Sequence, residues 1–149
     1  MLPLKKYVVL ASIALGLFAG SAAAEQIGQI NLIRGEVSIT RGGETVAAQN
    51  GAPLELKDII RTGADSVVGM TFEDEARVSL GPNSELTLET FVFQGSGDAG
   101  NSFDSRLTKG SMSAASGLIA KSGPDTMRVL MPTTVLGVRG TEFAVRIGE

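Results

Sequence analysis

Three groups of residues in this chain have types suited to chemistry: the acidic run Glu73-Asp74-Glu75, the nearby carboxylates Glu85 and Glu89, and two serine–lysine pairings, Lys109-Gly110-Ser111 and Lys121-Ser122. Gathered carboxylate oxygens suit a hard cation such as calcium, but a calcium loop alternates its ligands and bends on a glycine. The 73–75 run does neither, so it reads as a solvated turn between Phe72 and Val78. A glycosidase pair drawn from Glu73, Glu85 or Glu89 would have to face itself across a sugar-lined cleft, and the single tyrosine, Tyr7, offers no platform for a sugar ring. A catalytic lysine must be desolvated, whereas Lys109 and Lys121 stand among glycines and polar residues. The chain has neither His nor Cys. That removes Ser-His-Asp triads, Cys-His pairs, the usual zinc sites, haem attachment and iron–sulfur ligation. No catalytic, cofactor or metal residue is assigned, and the chain is read as a non-enzyme, a binding protein.

The elements that would position a binding surface begin after residue 24. Lys5 and Lys6 precede an apolar run over residues 7–18, then Ala19-Gly20-Ser21-Ala22-Ala23-Ala24 supplies small residues for cleavage before Glu25. This is the form of a secretory signal peptide; a bilayer span needs about 20 apolar residues, and the run is shorter. With no cysteine, no lipid anchor follows. The expectation is one domain over residues 25–149, soluble in the periplasm of a Gram-negative bacterium, and not membrane-spanning after cleavage. The formal charge is −3, more negative once Lys5 and Lys6 are removed, with basic residues scattered singly. Nucleic acid is therefore not the partner.

Short alternating runs rich in Val, Ile and Thr, with 19 glycines, predict an all-β fold. Strands are expected at residues 26–33, 36–41, 66–73, 76–80, 85–94, 106–112, 127–131 and 142–147. In Ser84-Glu85-Leu86-Thr87-Leu88-Glu89, leucines take one face and polar residues the other. Gly63-Ala64-Asp65-Ser66 and Gly81-Pro82-Asn83-Ser84 open a weak repeat, Gly-x-x-Ser-x-apolar-x-apolar. Two copies hint at a compact rolled or short solenoid-like domain, with a β-sandwich as the alternative. Residues 94–102 read as an exposed, mobile loop, and 113–124 as a second soft region.

Near the end, residues 129–131 and 143–147 flank a passage read as a turn on Gly137 and Gly140, with Arg139 between them. Arg139 is either a partner-facing anchor or a guanidinium forking onto carbonyls or Glu142 to fix the turn. The second reading is preferred. The wording Pro132-Thr133-Thr134-Val135 followed by Val138-Arg139-Gly140-Thr141-Glu142-Phe143 resembles a signature of the FecR domain family. A second resemblance runs from Leu56-Lys57-Asp58-Ile59-Ile60-Arg61-Thr62-Gly63 to Val78-Ser79-Leu80-Gly81-Pro82-Asn83-Ser84. Lys57-Asp58 and Asp74-Glu75 stand where the family commonly has Gly-Asp and Asp-Gly, which implies altered turns. The resemblance, over roughly residues 30–147, implies a non-enzymatic, periplasmic all-β signalling domain that binds another envelope protein. The family's cytoplasmic anti-sigma segment and membrane span have no counterpart in these residues. Because such domains usually continue past this strand, Phe143, Val145 and Ile147, with Arg139, are expected to form an edge open to strand addition by a partner. The alternatives are a self-associating structural envelope protein and, more remotely, a carbohydrate-binding module.

Overall fold

The alternation of apolar and polar residues folds into two facing sheets. A computed structural model describes residues 24–140 and 142–148; the expected signal peptide falls almost wholly outside them. The strands are β1 (Gly28–Arg34), β2 (Val37–Arg41), β3 (Glu44–Ala47), β4 (Pro53–Leu54), β5 (Ile59–Thr62), β6 (Val67–Phe72), β7 (Arg77–Leu80), β8 (Glu85–Val92), β9 (Ser102–Lys109), β10 (Ser111–Ala115), β11 (Met127–Met131), β12 (Thr134–Val138) and β13 (Glu142–Arg146). One sheet runs β13-β10-β7-β6-β1-β4, the other β12-β11-β9-β8-β5-β2-β3. All pairs are antiparallel except β9 with β11. The all-β expectation holds, in the sandwich-like form given as its alternative.

Register places the core residues in rows, because side chains directly opposite each other on paired strands share a face. Across the six-stranded sheet, Val145, Met112, Leu80 and Val68 form one row; Phe143, Ala114, Val78, Met70 and Ile30 form the next. Across the seven-stranded sheet, Ile39, Ile60, Leu86 and Leu107 answer them. Phe103 packs edge-on to Phe72 and Phe91, with ring centroids 4.7 and 5.0 Å away. Each fully buried Leu, Ile or Phe side chain stabilises the fold by about 1.5–3 kcal/mol.

The chain crosses between sheets repeatedly at one end, and the two repeat copies sit there. Asp65 and Asn83 both take left-handed φ, 53° and 52°. The serine after each accepts an amide from another crossing: Ser66 Oγ from Glu36 at 2.8 Å, Ser84 Oγ from Ser111 at 3.0 Å. The Asn83 amide bonds the Gly63 carbonyl (3.0 Å), linking the two copies. Thr62 completes the link, its hydroxyl donating to the Gly81 carbonyl (2.6 Å) and accepting the Ser84 amide (2.9 Å). Gly123-Pro124-Asp125-Thr126 shares the left-handed third residue, Asp125 at φ 59°, but its Thr126 hydroxyl bonds within its own loop, donating to the Ile119 and Gly123 carbonyls at 2.7 and 2.9 Å.

Several local expectations need correction. The 106–112 run is two strands, because Gly110 at φ 80° turns the chain from one sheet to the other. The passage after Met131 is no turn on Gly137. It is β12, paired with β11 around the Pro132-Thr133 turn, and its Thr-Val-Leu-Gly-Val sequence, apolar without alternation and broken by Gly137, hid it. β3, β4 and β5 were also missed, being too short to show a period. The stretch 113–124 is not soft: it finishes β10 and includes a 3-10 turn, Ala120–Ser122. The loop after β8 is exposed at its tip but fastened at its base. Buried Asn101 accepts the Gln94 amide at 2.8 Å and donates to the Gly95 carbonyl (2.8 Å) and Ser122 Oγ (2.9 Å).

Gly110→Ala is expected to cost about 2 kcal/mol or more, since φ is left-handed and a Cβ would sit 2.6 Å from Ser84 Cα. Gly42→Ala, at φ 60° in open space, costs about 1 kcal/mol. Urea unfolding of both variants separates the packing cost from the backbone cost; equal losses would refute it. In β9 the Ser105 hydroxyl is buried without a partner, opposite Leu88 and Val129. Ser105→Ala is expected to raise stability by about 1 kcal/mol in the same assay, and a loss would show that the hydroxyl is satisfied in solution.

Candidate interaction edge

The residues first considered for chemistry are spent on structure. Asp74 is fully buried, contrary to the expected solvated turn. Its carboxylate accepts the amides of Ala76 at 3.2 Å and Ile119 at 3.3 Å, and its carbonyl accepts the Leu118 amide at 2.8 Å. A Cβ on Gly117 would lie 2.5 Å from the Ala76 nitrogen, so only glycine lets this loop close on the β6–β7 turn. Burial pushes the Asp74 carboxyl above its ordinary 3.8, partly offset by hydrogen bonds from the Ala76 and Ile119 amides. Among the described residues no cluster suited to a metal ion forms.

Glu85 and Glu89 lie on the outer face of the seven-stranded sheet. Glu85 bonds Arg61 at 3.0 Å; Glu89 bonds Arg106 at 3.0 Å and Lys57 at 3.2 Å. The Arg106 bond, then Lys57, holds the Glu89 carboxyl below its ordinary value. Glu73 sits on the turn of the other sheet, so no facing carboxylate pair is assembled. Ser122 secures the Gln94–Ser102 connection, and the Ser111 amide is held by Ser84; Lys109 and Lys121 are exposed. Asp58, a residue of the first resemblance block to which no role was assigned, is fully buried. It takes a two-pronged bond from Arg41 at 2.8 and 2.7 Å and the Glu55 amide at 2.8 Å.

The closing segment is where unspent bonding capacity collects. β12 ends one sheet and β13 the other. Arg139 is exposed and forms no ion pair with a described carboxylate, Glu142 included. Among the described residues β13 pairs only with β10: Arg146 opposite Ser111, Val145 opposite Met112, Ala144 opposite Ser113, Phe143 opposite Ala114. Phe143, Val145 and Ile147 are half-buried and pack on the core. Glu142, Ala144 and Arg146 are exposed.

Backbone bonding follows the same parity. The Ile147 amide bonds the Gly110 carbonyl at 2.8 Å. Hydrogen-bonded pairs alternate along an antiparallel ladder, so Phe143 and Val145 also direct their amides and carbonyls at β10. Those of Glu142, Ala144 and Arg146 point to the free side. The expected edge residues are thus brought together, but they face the core. The outward set is Glu142, Ala144 and Arg146, which strict two-residue alternation already separates from Phe143 and Val145 in the sequence.

Fold and edge define an all-β, sandwich-like domain with a last strand open on one side. Residues 58–149 match the family model described as FecR protein, and the chain belongs to that family, one of regulatory, signalling-related proteins. The matched span starts at Asp58. β1 and β2 precede it, yet they pair with β6 and β5 inside it. No curated protein and no solved structure matches the chain. Among the described residues no helix is long and apolar enough to cross a membrane.

The raised Asp74 carboxyl makes folding penalise its charge at neutral pH. That penalty is relieved as pH falls through the folded value toward the unfolded one. The stability of the unaltered protein relative to Asp74→Asn should therefore rise between about pH 7 and about pH 4.5. Urea unfolding at both pH values checks this, and a pH-independent difference would contradict the buried charge.

Proposed function

We propose that this chain is an exported, non-enzymatic FecR-family module, residues 25–149 forming one domain. It works in the periplasm by binding another protein through strand addition at β13. The open side of β13 carries the reading: Glu142, Ala144 and Arg146 present amides and carbonyls that no described strand takes up. Main-chain bonds supply affinity in such pairing, and alternate side chains supply selectivity. The leader-like residues 1–24, the missing His and Cys, and the family's signalling character agree with it. Arg139, exposed beside the edge, is the proposed rim contact.

Ala144→Pro tests the edge. The Ala144 amide points away from β10, so proline there removes no bond within the fold and is tolerated on an edge strand. It blocks an incoming strand. A photo-crosslinking residue at position 144, expressed in the native host, should give a discrete protein adduct, and Ala144→Pro should reduce binding of that partner by at least about tenfold with little change in melting temperature. An undiminished interaction would move the binding surface elsewhere.

A further inference from the structure

The geometry points to a second copy of this chain as the strand that pairs with β13. This inference rests on the open-edge reading above. The strand is self-complementary in one register. If two β13 strands run antiparallel with Ala144 opposite Ala144, Glu142 of each copy falls opposite Arg146 of the other. Both side chains are exposed, and neither pairs with a described residue. Opposite charges directly across a ladder attract, and like charges repel.

The backbone agrees with the same register. Residues 142, 144 and 146 all point their amides and carbonyls outward, so Ala144 with Ala144 and each Glu142 with Arg146 become hydrogen-bonded pairs. Together they supply about six new backbone bonds. On the inner face, Phe143 of one copy meets Val145 of the other at the closer, non-hydrogen-bonded spacing, which covers the exposed part of two half-buried side chains. Neither β4 nor β12 matches this. β4 is two residues long, so the six-stranded sheet can grow at one end only, and growth stops at a two-fold pair. Antiparallel pairing of β12 about Leu136 would set Thr134 against Val138, with no charge to fix a register.

The absence of native cysteine makes the test clean. Ala144→Cys places the two sulfurs at the two-fold axis, where paired Cα atoms are about 5.5 Å apart, within disulfide reach. Mild oxidation should give a disulfide-linked dimer, and light scattering on the unaltered protein over a dilution series should show a monomer–dimer equilibrium. Glu142→Arg alone and Arg146→Glu alone should each raise the dissociation constant about tenfold. Mixing these two variants, or joining both substitutions in one chain, should restore pairing. A strict monomer with unlinked Ala144→Cys overturns the second-copy inference, as does a dimer indifferent to both charge reversals. Hydrogen exchange of the Glu142, Ala144 and Arg146 amides then separates the two readings. Fast exchange in the monomer leaves the edge open for a different partner, whereas protection at monomeric concentration means that the edge is already covered and both readings fail.

Discussion

The fold depends on a line of hydroxyl-to-backbone hydrogen bonds where the chain passes between its two sheets. Ser66 ties the β5–β6 crossing to the β1–β2 crossing at Gly35-Glu36. Ser84 ties the β7–β8 crossing to the β9–β10 crossing at Gly110-Ser111. Thr62 and the Asn83 amide join the two ties. Each such bond contributes only about 1 kcal/mol net, but a buried amide or carbonyl left without a partner costs more. These hydroxyls therefore hold the relative position of both sheets, and the apolar rows of the core meet only when that position is kept. None of them titrates in the ordinary range.

Charge is distributed very differently over the two outer faces. The seven-stranded sheet carries Arg61 with Glu85, Glu89 between Lys57 and Arg106, and Arg128 forked onto Asp104. The basic heads reach into solvent over carboxylates that are largely covered, Asp104 most of all, and they keep that face wet. The six-stranded sheet presents the row Leu32, Gly69, Ser79, Ser113 and Ala144, small residues apart from its first member. Glu142 and Arg146 flank the last of these. Ion pairs on one sheet are already satisfied, while the charges at the end of the other are not.

Much of this was legible in the sequence, and the failures have physical causes. Alternation in residues 85–90 fixed the inward leucines correctly, because a half-buried strand must separate its faces. The two-block family resemblance is borne out by the family match. The Gly-x-x-Ser repeat was visible, though its function as a stitch between crossings needed three dimensions. The passage at Thr126 shares only the left-handed turn, since its following strand places apolar residues at odd offsets, Met127 and Val129. The burial of Asp74 is not legible because two neighbouring acids suggest solvent, and its partners, Ile119 and Leu118, are distant in sequence. Outward Glu142 and Arg146 were passed over for the apolar residues between them, which belong to the core.

The topology also dictates an order of assembly. β1 finds no long partner until β6 exists, and β13 reaches its sheet only through β10, which pairs back to β7 on its other side. Pairings so distant along the chain pay loop-closure entropy before they are rewarded, which places folding in the range of about milliseconds to seconds. β13 has no ladder to join until β10 is in place. Whatever recognises its free side as a sheet edge consequently meets a chain in which β10 has already been placed, so this strand acts as a molecular certificate of that part of the native sheet.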